Sequence, residues 1–258
     1  MSLDAHLIET LWEAASYYNE PGFIENDPIQ IPHSFTDARD IEIAGFFTAL
    51  ISWGQRKTII NSAKNLFLRM DNAPYDFIVN SSIDDQKSLI AFSHRTFNDF
   101  DLILLVNQLK RLLIEDKTLE NVFFEGGKQI KTVEMSLVNF HKKLFSTTEP
   151  KCRTMKHIAT PIKNSACKRL NMFLRWMVRP ADGVDFGIWN TVNPSILKMP
   201  LDTHVIRVTE ELGIMSKLKS DWKGCVDLTR IFQEIHPEDP VFFDFALFGI
   251  GVNNRNIS

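Results

Sequence analysis

The sequence is poor in the residues that staple small or metal-dependent folds. It has three cysteines, Cys152, Cys167 and Cys225. They are too few and too scattered for a disulfide framework, a zinc ribbon or a four-cysteine iron–sulfur cluster. The seven histidines include no HxxxH pair, and no Asp/His group has ligand spacing. No apolar run approaches the length of a bilayer crossing. The N-terminal stretch MSLDAHLIETLWEAA carries acids and no basic region, which argues against a signal peptide. A soluble, cytoplasmic chain with no membrane partner is therefore expected. Clean period-two alternation is rare, and neither GxGxxG nor GxxxxGK[ST] occurs, so a βαβ nucleotide fold is not expected. Internal repeats, low-complexity tracts and obvious linkers are missing as well.

What is present is helical periodicity over most of 258 residues, 44% of them hydrophobic, with twenty Phe and five Trp to fill a core. Helices are predicted over 3–18, from a cap at Thr36 or Asp37 through IEIAGFFTALISW, over 56–70, 74–80 and 84–92, and over 99–116 behind Asn98 or Asp99. The segment 41–53 is apolar nearly all round and reads as a central helix. The glycine pair Gly126–Gly127 marks a loop before a helix over 131–145. Residues 146–164 read as a basic loop, 166–178 as a helix and 180–201 as an extended connection. Asp202 caps a helix that Gly213 ends, and helices over 222–235 and 240–249 follow. The expectation is all-α: one compact helical unit, residues 1–258, with two lobes. Lobe A covers about 37–145, and lobe B covers 1–36 plus 165–258.

The net charge of -3 argues weakly against a nucleic-acid partner. Its distribution says more. Between Lys142 and Arg179 stand ten Lys or Arg residues and a single acid, Glu149, a local charge of +9. This stretch is either an electrostatic footprint or a solvated surface whose acids come from elsewhere in the fold.

Three places can carry chemistry. In PLDTHVIRV, residues 200–208, Asp202 is followed by Thr203, His204 and Arg207. In SACKRLNMFLRWMVR, residues 165–179, Lys168, Asn171, Arg175 and Arg179 fall along one polar side of a helix. In SWGQRKT, residues 52–58, Gln55, Arg56 and Lys57 leave an apolar helix, the two cations being favoured at its C-terminus. Taken singly, Asp202 is a helix cap and Lys168 a surface lysine.

Taken together, and in this order along the chain, the three resemble the helix-hairpin-helix DNA glycosylase superfamily, which includes endonuclease III. The carriers are Lys168 with Asn171 at KxxN spacing, LDTHVIRV, and Ala49, Leu50, Ile51, Ser52 and Gln55. The chain as a whole also resembles an uncharacterised bacterial family known only as a domain of unknown function. Departures from the glycosylases are plain. The hairpin TPIKNSACK, residues 160–168, has no glycine; Asn164 can supply a left-handed position and Ser165 a hydroxyl. The interval from Lys168 to Asp202 holds an insertion over 179–199, and the cluster cysteines are absent, as in the archaeal 8-oxoguanine branch.

The resemblance implies a two-lobed fold of the helix-hairpin-helix glycosylase type and base-excision repair of duplex DNA carrying a damaged or abasic nucleotide. It implies no metal or organic cofactor, and the chain is read as a monomer. Lys168 becomes the nucleophile at the sugar C1′, activated by its cationic neighbourhood, and Asp202 the group that stabilises the cation formed there. Gln55, helped by Trp53 or Arg56, fills the gap left by the flipped base. Lys57, Asn164, Ser165, Asn171, Arg175, His204 and Arg207 complete the substrate-binding candidates. Two other readings stay open: a non-catalytic DNA-binding protein on the same fold, and an all-α protein-interaction domain.

Overall fold

The computed structural model describes residues 3–125 and 131–253; the pair Gly126–Gly127 lies outside the described residues. Among the described residues the architecture is all-α apart from one pair of two-residue strands. No helix among the described residues is long and apolar enough to cross a membrane. The chain divides into two compact units: Met1–Phe23 with Thr160–Ser258, and Ile24–Ala159.

The unit formed by Ile24–Ala159 is built on α2 (Ala38–Leu50), capped by Asp37, whose side chain accepts from the Arg39 amide. Every residue from Glu42 to Ser52 is buried, as the apolar sequence requires. The one acid in that run, Glu42, accepts the Leu119 amide at 3.1 Å, so it also stabilises the N-terminus of α6 (Leu119–Phe124). Against α2 pack α3 (Arg56–Leu68) and α4 (Pro74–Asn80); α5 (Asp99–Asp116) packs on α4 and on α7 (Val133–Leu144), whose Phe140 ring meets Phe46 of α2. The strands β1 (Ser93–His94) and β2 (Phe97–Asn98) form the turn into α5. Residues 28–34, expected with the terminal helices, instead lie against α2 and α3 as two one-turn 3-10 helices. Their prolines preclude a longer helix there.

Asn98 and Asp101 form a reciprocal capping box at the start of α5. Asp101 is fully buried and also accepts from Thr154 at 2.8 Å and Arg153 at 3.0 Å. One of the ten cations in the basic segment is thus committed to a buried carboxylate.

The other unit holds α1 (Ala5–Tyr18), α8 (Lys168–Val178), α9 (Thr203–Glu211), α10 (Trp222–Ile235) and α11 (Asp244–Asn253). Helix α11 is covered by α1 and α9. The α1 contact is close: a Cβ on Gly249 would stand 2.1 Å from the Tyr18 ring. Gly249→Ala must push the two helices apart, and a loss of about 1–3 kcal/mol is expected. An unchanged urea midpoint would show that the helices separate freely.

Candidate functional site

Helix α8 begins at Lys168 and not at Ala166, because Asn164 (φ 54°) and Cys167 (φ 49°) are both left-handed. The preceding backbone is drawn toward α10. The Asn164 carbonyl accepts the Trp222 amide at 3.3 Å, and Ser165 forms a bridge with Asp221. The Ser165 hydroxyl accepts the Cys167 amide at 3.2 Å. These long-range bonds outcompete helix extension and set Lys168 at the first position of α8.

Asp202 stands at the N-cap of α9, as its sequence context predicts. Its Oδ1 accepts the amides of His204 and Val205, both at 2.9 Å. Its Oδ2 lies 3.8 Å from Lys168 Nζ, with the two side chains 25% and 21% exposed. The same Nζ donates to Met172 Sδ at 3.4 Å. An amine and an oriented carboxylate therefore share one partly open position, 34 residues apart in sequence. The neighbouring thiols are poor rivals as nucleophiles. Burial pushes Cys167 and Cys225 up to about 12, so both are protonated at neutral pH.

Behind the pair lies an ionic network that the sequence reading missed. Asp244, the first residue of α11, accepts from Arg175 Nη1 at 2.5 Å. Burial pushes its carboxyl up to about 6, against the opposing pull of Arg175; the Asp202 charge raises it further and Lys168 lowers it. Arg175 also reaches Asp185, and Arg179 reaches Asp185 and Asp239, each at 2.7 Å, and Asp182 at 3.3 Å. The insertion over 179–199 thus supplies carboxylates to α8. It also returns amides to it, Phe186 to the Trp176 carbonyl and Trp189 to that of Met177. The available signal for Asp244 was a lone acid inside the apolar run VFFDFALF.

The other candidates divide. Asn171 is buried and donates to the Ala166 carbonyl at 3.0 Å, and Arg175 is buried in the network above. Neither lies on an exposed polar side of α8. Arg207 is held by Glu211 at 2.9 Å and the Gly251 carbonyl at 2.8 Å. His204 and Asn164 are exposed, and Ser165 is half-buried. In the other unit Gln55 and Lys57 are exposed and Arg56 is half-buried. They sit at the start of α3, with Gln55 as N-cap, and not at a helix C-terminus. There the helix dipole opposes Arg56 and Lys57, and the position favours an anion. Gly54 makes the turn possible with φ 102°.

The basic segment is less open than its composition suggests. Arg175 and Arg179 are buried, Arg153 is bonded to Asp101, and Lys143 lies 3.6 Å from both Asp116 and Glu125. Lys142, Lys151, Lys156 and Lys163 remain exposed.

No curated protein and no solved structure matches the chain at a significant level. A family model matches residues 27–253, and the chain belongs to the family it describes, the protein of unknown function family DUF2400.

Proposed function

We propose that the chain is a DNA glycosylase with Schiff-base lyase activity at abasic sites, on a fold of the helix-hairpin-helix glycosylase type. The observation that carries this reading is the 3.8 Å approach of Lys168 Nζ to Asp202 Oδ2, with Asp202 oriented by two backbone amides. A protein that only binds DNA needs no such pair. Asn164 supports the reading further, since it adopts the left-handed conformation that glycine supplies in the family hairpin.

The neutral amine of Lys168 attacks the sugar C1′ as the glycosidic bond breaks. The bonding pair leaves with the base, which takes a proton from solvent. Asp202 stabilises the positive charge at C1′ and accepts the proton lost from Nζ. Opening of the C1′–O4′ bond, with O4′ taking the bonding pair and the proton held by Asp202, gives the Schiff base. Loss of a C2′ proton then expels the 3′ phosphate, and water releases Lys168. The base must first leave the stack.

Borohydride trapping on duplexes with an abasic site or one of a panel of oxidised bases tests this directly. A covalent adduct at Lys168 is expected. Duplex binding without adduct or base release on any substrate would leave a non-catalytic DNA-binding protein. No duplex affinity at low salt would leave a protein-interaction domain. The salt dependence carries a separate expectation. With four openly exposed lysines in the basic segment, the log–log slope should be about -4 and not the -9 of ten phosphate contacts.

A further inference from the structure

We infer that Met172 is a positioning residue: its thioether holds the Lys168 amine clear of Asp202 and leaves the nitrogen lone pair to the sugar carbon. Its meaning for catalysis rests on the lyase reading above.

The two partners of Nζ differ in kind. Asp202 Oδ2, at 3.8 Å, attracts the amine but stands beyond hydrogen-bond reach. Met172 Sδ accepts from Nζ at 3.4 Å, and among the described residues this is the one hydrogen bond that Nζ makes. Lys168 and Met172 are separated by one turn of α8, so their side chains lie on one face. Asp202 comes from the cap of α9, where Oδ1 is fixed by the His204 and Val205 amides. The carboxylate is thus set by its own helix, and the amine is set from α8 by the sulfur.

A long, flexible lysine beside such an oxygen would otherwise close to a direct ion pair at about 2.8 Å. That pair would keep the proton on nitrogen and occupy the electrons that must reach C1′. A second carboxylate in place of Met172 would do the same. A thioether carries no charge and has no proton to give. It takes one N–H of the neutral amine, and the other N–H can turn toward Asp202. The lone pair then points away from both partners. The Lys168 side chain remains 25% exposed, so a sugar has access to it.

Two variants separate the acceptor from the packing. Met172→Leu keeps an apolar side chain of similar volume and removes the acceptor. Met172→Gln is the poorer packing substitute and restores an acceptor oxygen. Single-turnover cyanoborohydride trapping on an abasic duplex, run over a range of duplex concentrations, reads rate and affinity apart. Met172→Leu should trap about tenfold slower at saturation, with the half-saturating concentration within about threefold of wild type. Met172→Gln should recover to within about threefold of the wild-type rate. A loss of packing alone would rank the two variants the other way. If wild type traps and Met172→Leu keeps its rate, or if Met172→Gln is as slow as Met172→Leu, the inference is overturned and the lyase stands. If wild type yields no adduct, the lyase falls, and the hold on the amine is read without DNA. In protein carrying methyl-13C methionine, the Met172 signal, identified by its loss in Met172→Leu, should move in Lys168→Met, which keeps the stem and drops the amine. It should stay in place in Lys57→Met. An unmoved signal in Lys168→Met overturns the contact itself.

Discussion

Arg179→Met is expected to destabilise the protein by about 3–5 kcal/mol, a large share of the roughly 5–15 kcal/mol that holds a domain together. Arg179 is 1% exposed and is bonded to three carboxylates. Burial alone would weaken its hold on the proton. Asp185, Asp239 and Asp182 outweigh that and raise its pKa above the ordinary arginine value. Methionine fills similar volume and can rest against Phe242 and Phe245, which the guanidinium now faces at 5.4 and 5.2 Å. It leaves Asp239 buried without its cation, while Asp185 keeps only Arg175.

The loss in Arg179→Met should depend on pH in a definite direction. Asp239 already has its pKa raised by burial, and removing Arg179 raises it further. A carboxyl whose folded pKa exceeds its unfolded value contributes stability below the unfolded pKa and loses it as pH rises through the folded one. The variant should therefore approach wild type as pH falls toward about 4. Adding Asp239→Asn and Asp185→Asn should restore much of the stability at neutral pH. Urea unfolding at pH 4 and pH 7 reads both effects. A single variant within 1 kcal/mol of wild type at neutral pH would mean that the network contributes nothing.

Lys168→Ala should abolish the borohydride adduct, and Asp202→Asn should slow base release about 10²- to 10³-fold while duplex affinity stays within about threefold. The Asp202 variant isolates charge from architecture. Asparagine caps helices as well as aspartate does, so it can still accept the His204 and Val205 amides. What it loses is the negative charge 3.8 Å from Lys168 Nζ. Single-turnover rates on an oxidised-base duplex, beside filter-binding affinities, separate the two contributions. Asp202→Asn releasing base as fast as wild type would show that its carboxylate is only a cap. A Lys168→Ala protein that still traps would move the nucleophile to another amine.

Helix boundaries set by local chemistry were legible in the chain itself. Asp37, Asn98 and Asp202 each cap a helix by bonding amides two or three residues ahead. Gly213 follows α9 with φ 66°, again a signal contained in neighbouring residues. The apolar run in α2 announced its own burial, because a helix with no polar face has none to offer water. Lys168 and Asp202 were also named from sequence, through motif order, although no local rule puts them 3.8 Å apart.

Everything concerning charge was decided by tertiary structure. Arg175 and Arg179 read as one polar helix side, yet both are buried, because their acids arrive from 69 and 60 residues away. Arg153 left the expected basic surface for Asp101, 52 residues back. Cys167 adopts a left-handed conformation, and α8 starts two residues late, because α10 claims the backbone of 164–165. A side chain's charge is written in the sequence. Whether that charge meets water or a buried partner depends on which distant element folds against it, and a charged group enters the interior only where that partner is in place.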